Sequence, residues 1–221
     1  MSPTGKSRPA GKQGGQPRSA LRENLESLAW AVVLMLIVRT LLLQAFRIPS
    51  ESMRDTLLVG DFLFVSKVDY GPRLPFTRIR LPGLRAPRRG DIIVFQWPPD
   101  PSQDFIKRCI AVPGETVEIR DKRVFVNGRP LVEPYVRHSA SGEAPPSDPR
   151  RDNLAPLTVP PGHLFMMGDN RENSADSRFW GTVPMGLVKG RALFIYFSTG
   201  SKHWWDMFFH IRWNRLLHVL K

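Results

Sequence analysis

Two serines stand one residue apart in IPSESMRDTL, residues 48–57, directly after an apolar run, and no histidine lies near them in sequence. A serine hydroxyl becomes a nucleophile when a base takes its proton, and histidine is the usual base. The five histidines here, His138, His163, His203, His210 and His218, sit in a loop-like stretch, after a Pro-Pro-Gly turn, or in an aromatic tail. Lysine is the other option. Its amine works only when neutral, and an unperturbed lysine is deprotonated roughly once in 2,500 molecules at pH 7. Burial has to lower its pKa by about 3 units, a differential of about 4 kcal/mol, so the lysine belongs in an apolar strand. Lys107 in DFIKRCIAVPGE meets that demand, with Phe105, Ile106, Cys109 and Ile110 around it, whereas most other lysines lie in the tails or beside charges. Strand alternation puts Phe105, Lys107 and Cys109 on one face and Ile106 and Arg108 on the other. A lysine reaching solvent from a strand edge has the same local pattern.

A third polar constellation is GDNRENSADSRFWG, residues 168–181, which follows the apolar HLFMM. By composition alone it is a strand ending in a capped, hydrogen-bonded turn. Ser174 could orient a neutral lysine amine, with Asp176 and Arg178 holding the turn rigid beneath it. An aspartic dyad of Asp169 and Asp176 has no supporting pattern. No HExxH pattern occurs, and the single cysteine, Cys109, excludes an intrachain disulfide framework and a Cys-rich zinc site. Neither metal nor cofactor is expected.

Elements must hold these groups. Residues 1–24 form a basic, Gly/Pro/Ser-rich tail, expected to be disordered and cytoplasmic. Residues 25–46, with the apolar run LAWAVVLMLIVRTLLLQAF at 28–46, are expected to cross a bilayer as one helix. Arg39 near its middle costs about 2.5 to 3.5 kcal/mol, while eleven Leu, Ile, Val and Phe residues return about 3 to 7 kcal/mol. The alternative is an amphipathic helix buried in a soluble core. The basic tail favours a span with the N-terminus inside.

From residue 47 to 203 short β-type runs follow, bounded by Gly and Pro: DFLFVSKV, GDIIVFQW, FIKRCIAV, ETVEIR, RVFVNG, HLFMMGD and GRALFIYFS, with VNGRP as a hairpin turn. The fold class is therefore mostly β, a curled antiparallel sheet or small barrels, preceded by one transmembrane helix. Residues 130–161 read as a polar loop or a small excursion from the main sheet. Residues 70–90 hold six arginines and no acid apart from their flanks, either a solvated loop or a surface for anionic headgroups. Residues 204–221, where aromatics and bases interleave, are expected to form an amphipathic C-terminal helix. A net charge of +12 fits an anionic partner, either a bilayer surface or nucleic acid.

PSESM after a membrane segment, DFIKRCIAVPGE, and GDNRENSADSRFWG, in that order and with LLVGDFLFVSKVDYG between the first two, resemble bacterial type I signal peptidase. The resemblance runs from about residue 28 to 189. It implies a membrane-bound serine endopeptidase that removes signal peptides at A-x-A-like sites through an acyl-enzyme. By position it makes Ser52 the nucleophile and Lys107 the general base, with the Ser50 hydroxyl joining the Ser52 backbone N–H in the oxyanion hole. Ser174 matches the lysine-orienting serine, and Asp176 and Arg178 a structural ion pair. Ile48, Pro49, Met53, Leu57 and Ile106 match the shallow substrate pockets, and residues 130–161 a small second β-domain. The implied partners are signal peptides of membrane-tethered preproteins and an anionic bilayer, not nucleic acid. The implied location is the bacterial plasma membrane, single-pass, with the peptidase domain on the outer face.

The chain departs from the family pattern at Asp55, where proline is usual, and at Glu51, where glycine is frequent. Autocleaving repressors also use Ser and Lys on a β-fold but carry a DNA-binding domain that this N-terminus does not match. A membrane-anchored nucleic-acid or lipid-binding module is the rival from another class; it makes Ser52 dispensable.

Overall fold

The computed structural model describes residues 20–74, 77, 79–137, 149–201 and 205–220. Expectations for the tail up to residue 19, for His138, and for His203 and Trp204 lie outside the described residues. The chain divides into two compact units, Met1–Ile37 and Val38–Lys221.

The first unit contains α1 (Ala20–Ile37), a run without Gly or Pro and with Glu23 in its first turn, where the helix dipole favours an acid. Its apolar side chains point outward: Leu28 is 61% and Trp30 73% exposed. From Leu28 on the helix is apolar all round, which suits a hydrocarbon surrounding. Arg22–Leu42 is a candidate membrane span of 21 residues whose most apolar 18-residue stretch has mean hydropathy 1.9; the whole is about 31 Å long as a helix.

The second unit starts with a π-helical turn, Val38–Leu42, and β1 (Leu43–Arg47). The expected transmembrane helix to residue 46 is thus too long: residues 43–46 are strand, paired antiparallel with β2 (Asp61–Ser66) from Leu43 opposite Ser66 to Arg47 opposite Phe62. A ready ladder on β2 satisfies this backbone, and that decides against helix despite the apolar composition. Where the helical turn stops, the Lys67 amine donates to the carbonyls of Arg39 and Thr40 at 3.0 and 3.2 Å, filling acceptors that have lost their helical donors.

The strands that follow are β3 (Ile92–Trp97), β4 (Asp100–Ala111), β5 (Thr116–Arg120), β6 (Arg123–Val126), β7 (Arg129–Pro130) and β8 (Leu154–Thr158), then β9 (His163–Met167), β10 (Val183–Pro184), β11 (Val188–Ser198) and β12 (His218–Val219). The large sheet runs β1-β2-β11-β3-β4-β9-β10, with β12 also on β11, and its pairs are antiparallel. Register shifts in β11 and between β4 and β9 mark bulges, which bend and curl a sheet. The mostly β, curled antiparallel architecture expected from the sequence is what the chain adopts.

The second sheet, β7-β6-β5-β8, reaches from Thr116 to Thr158 and so begins well before the expected 130–161. Asn127 and Gly128, both at positive φ (52° and 74°), make the hairpin turn read from VNGRP. Asp121 and Lys122, at 48° and 66°, make an equivalent turn that lacks glycine and gave no such signal. Strand β8 carries Pro156, which an edge position tolerates.

The C-terminal helix expected at 204–221 is absent from the described residues. Residues 205–210 are turns, Ile211 bridges Thr199, Trp213–Arg215 is one 3₁₀ turn, and β12 returns to β11. Tertiary bonds override the amphipathic pattern: the Arg215 guanidinium donates to buried Asp61 and to the Thr56 carbonyl.

Three apolar clusters flank the sheets. Ile92 and Val94 enter one and Ile93 and Phe95 another, so β3 is covered on both faces and reads as an unbroken apolar run.

Candidate active site

Residues 48–61 form a loop with adjoining ends: the Ile48 N–H donates to the Asp61 carbonyl at 2.8 Å and the Gly60 N–H to the Ile48 carbonyl at 3.0 Å. Gly60 has φ of 91°, and a Cβ there would lie 2.1 Å from the Thr199 carbonyl oxygen. Met53 and Leu57 are fully buried in the core and joined by a 2.7 Å backbone bond, which anchors the loop's underside. Asn170 clamps its upper side. Its backbone N–H donates to the Ser52 carbonyl (3.1 Å) and its side-chain amide to the Glu51 carbonyl (3.2 Å).

On β4, Lys107 lies opposite Ile93 of β3, on the face shared with Phe105, as strand alternation requires. The residue is 4% exposed, and its amine lies 5.2 Å from the centroid of the Phe105 ring. The amine and the Ser52 hydroxyl, 55 residues apart in sequence, are hydrogen bonded at 2.5 Å. Burial lowers the Lys107 pKa to about 8, against the pull of Asp176 and Asp169, which favour the ammonium; Arg178 disfavours it. The Ser50 hydroxyl lies 3.5 Å from that of Ser52, at the outer limit of a hydrogen bond.

Below the pair lie two buried carboxylate–arginine forks. Asp176 accepts from the Arg178 Nε and Nη2 at 2.8 and 2.9 Å, from the Ser174 hydroxyl at 2.7 Å and from the Gly168 N–H at 3.1 Å. Burial pushes its pKa up, but the Arg178 charge and these bonds outweigh that and hold it below the usual carboxylate range. Asp169 is gripped by Arg108 at 2.9 and 2.7 Å and by the Thr56 hydroxyl at 2.6 Å. Each aspartate is paired with its own arginine rather than with the other carboxylate. The Ser174 hydroxyl bonds Asp176, not the lysine amine.

A cleft of about 340 Å³ includes the pair in its lining, with Pro49, Ser50, Phe105, Ile106, Asn173 and Ala175. Of the five residues expected to form substrate pockets, Pro49 and Ile106 line it. Ile48, Met53 and Leu57 do not: they are core residues, 2%, 0% and 0% exposed, because the loop turns its apolar side chains inward to fix itself. Asp55, in the position where proline is usual in the resembling family, has φ of 77°, and both its carboxylate oxygens accept from the Arg137 Nη1 at the surface. Sequence reasoning missed Asn170 and the Arg108–Asp169 pair. The signal for the pair was only adjacency, Arg108 beside Lys107 and Asp169 inside the Gly168 turn. Among the described residues, no cluster of His, Cys, Asp and Glu is placed to hold a metal.

A serine hydroxyl bonded to a desolvated lysine in the lining of a cleft on a curled β-sheet is the arrangement of a hydrolase that needs no histidine. A family model described as signal peptidase, peptidase S26, matches residues 21–197. Signal peptidase I of Leptolyngbya laminosa is 40% identical over 201 residues, covering 87% of this chain and 88% of its own. That of Pseudomonas aeruginosa is 36% identical, covering 75% and 68%, and that of Aquifex aeolicus 34%, covering 80% and 85%. The chain belongs to the signal peptidase family, peptidase S26.

Proposed function

We propose that Ser52 and Lys107 are the nucleophile and general base with which this chain removes signal peptides from preproteins. Family membership makes it a signal peptidase and an enzyme; the assignment of roles rests on the 2.5 Å bond between a buried amine and the Ser52 hydroxyl. With a pKa of about 8, about one Lys107 amine in ten is neutral at pH 7, some hundredfold or more above an ordinary lysine. That neutral amine takes the Ser52 proton as Oγ attacks the scissile carbonyl, and an ester to Ser52 forms as the new amino terminus leaves. The protonated lysine supplies the leaving amine's proton. Lys107 then deprotonates the water that hydrolyses the ester.

The Ser52 N–H and the Ser50 hydroxyl receive the developing oxyanion, a role worth about 2.7 to 4 kcal/mol per donor in a comparable protease. Ser50 sits at 3.5 Å from Ser52 with no closer bond between them, so its hydroxyl is available to turn toward substrate. Asn170 and the Asp176–Arg178 fork are the rigid support that keeps Ser52 and Gly168 in place. Substrate lies extended against Ile106 and Pro49, where the shallow wall admits small side chains.

The body is anchored by the apolar span Arg22–Leu42. The excess of basic residues in the tail supports an N-terminus on the cytoplasmic side of the bacterial plasma membrane, with the body outside. Exposed Trp205, Phe208, Phe209 and Trp213 suit a bilayer interface, where aromatic side chains are favoured. The test is cleavage of a purified preprotein with an A-x-A site by the wild type, Ser52→Ala and Lys107→Ala. Cleavage after the second alanine, lost in both folded variants, supports the assignment; a Ser52→Ala enzyme that cuts at the wild-type rate refutes it.

A further inference from the structure

Away from the serine–lysine cleft, a second cavity of about 300 Å³ is walled by Lys67, Arg73, Arg80 and Lys189, with Thr40 and Gln44 beside them. Among the described residues, Lys189 alone of the four has a carboxylate partner, Asp104 at 2.7 Å. Among the described residues no ion pair engages Lys67, Arg73 or Arg80; the Arg73 guanidinium reaches the Gln96 amide oxygen at 3.4 Å. The backbone forces the two arginines together, since Arg73 and Arg80 face each other across an isolated antiparallel bridge. Like charges in that position repel. Arg80 is held there by the carbonyls of Tyr70 and Val188, and Lys67 by those of Arg39 and Thr40. Burial, then the charges of Lys189 and Arg39, lower the Lys67 pKa, and burial, then Arg73, lower that of Arg80. Four cations fixed around a concavity with one acid between them make a place where an anion relieves repulsion that the fold otherwise carries.

We propose that this cavity binds the phosphate of an anionic phospholipid headgroup. Guanidinium forks match phosphate oxygens, and the lysines add point charge. The lipid source follows from the chain itself: Thr40, in the cavity wall, also belongs to the apolar span Arg22–Leu42, so the wall includes the segment that meets the headgroup layer. The inference rests on the membrane-anchored part of the proposed function and not on the chemistry of Ser52.

Full-length protein in a nonionic detergent is titrated calorimetrically with dihexanoyl phosphatidylglycerol, dihexanoyl phosphatidylcholine and inorganic phosphate in separate arms. Saturable binding of the phosphatidylglycerol is expected, with the other two at least about tenfold weaker. Arg73→Gln and Lys189→Gln each weaken it roughly fivefold, the equivalent of one basic residue near an anionic surface. Arg88→Gln removes an equal charge from the same arginine-rich segment outside the cavity and leaves the affinity unchanged. Three results overturn the proposal: no saturable binding, an Arg88→Gln loss as large as that of Arg73→Gln, or inorganic phosphate binding as tightly as the lipid. The readout is binding, so its failure leaves the peptidase reading standing, and loss of cleavage in Ser52→Ala says nothing against the lipid site.

Discussion

Replacing Lys107 by methionine is expected to abolish cleavage and to make the protein more stable at neutral pH. Lys107 is 4% exposed, and burial lowers the pKa of its amine from 10.5 to about 8. The lowered value means that the folded state disfavours the ammonium. Between about pH 8 and 10.5 the unfolded chain binds a proton that the native chain does not, so wild-type stability rises with pH across that window. Below pH 8 both states are protonated and the folded protein carries the full penalty, about 3 kcal/mol for a shift of this size. Methionine fills a similar volume without charge and forfeits the bond to Ser52, worth about 1 kcal/mol. The net gain at pH 7 is about 2 kcal/mol, or about 4 to 8 °C in Tm for a chain of this length. At pH 10.5 and above the penalty is gone, and wild type becomes the more stable by about 1 kcal/mol. The assay is thermal unfolding of both full-length proteins in one detergent across this pH range, so that every other titrating group cancels in the difference. A Tm difference that does not change with pH, or a methionine variant less stable at pH 7, refutes the account of a desolvated amine.

The same pKa governs the rate: kcat/KM on a preprotein is expected to rise about tenfold per pH unit below about 8 and to level off above it, and a flat profile from pH 6 to 9 contradicts a lysine base. Gly168→Ala is expected to cost about 1 to 3 kcal/mol and most of the activity. A Cβ there would stand 2.3 Å from the Ser174 hydroxyl and 2.5 Å from the Ser52 carbonyl oxygen; wild-type cleavage by a folded Gly168→Ala enzyme would show that this approach is not needed. At residue 55, where φ is 77°, Asp55→Gly is expected to change stability by less than about 1 kcal/mol. Asp55→Pro, whose ring fixes φ near −65°, lowers the Tm by several degrees. Equal melting of the two variants is the outcome that removes the backbone argument.

Much of the body was legible because its signals are local. Alternation and Gly/Pro punctuation located β2, β3, β5, β6, β9 and β11, and the Asn127-Gly128 turn requires positive φ at both positions, which those two residues accept most readily. Where a distant partner decided, local pattern misled. Residues 43–46 close the apolar run expected to be a membrane helix but take β2 as their neighbour. Residues 205–220 have a helix's amphipathicity, yet Arg215 is drawn to Asp61, 154 positions away. Met53 and Leu57 sit beside the nucleophile in sequence, but burying them in the core is what holds the loop still.

By itself the sequence determined which groups were on hand: a serine pair after an apolar run, a lysine within an apolar strand, and a turn dense in hydrogen-bonding side chains. Those properties are set by residue type and near neighbours. Only the tertiary structure decided that Lys107 meets Ser52 across 55 positions and Arg108 meets Asp169 across 61. It alone decided that the lysine is dry enough for burial to lower its pKa to about 8. Desolvation is a property of everything packed around a group, and what meets this amine includes Ser52, 55 positions away, as well as Phe105 beside it on the strand.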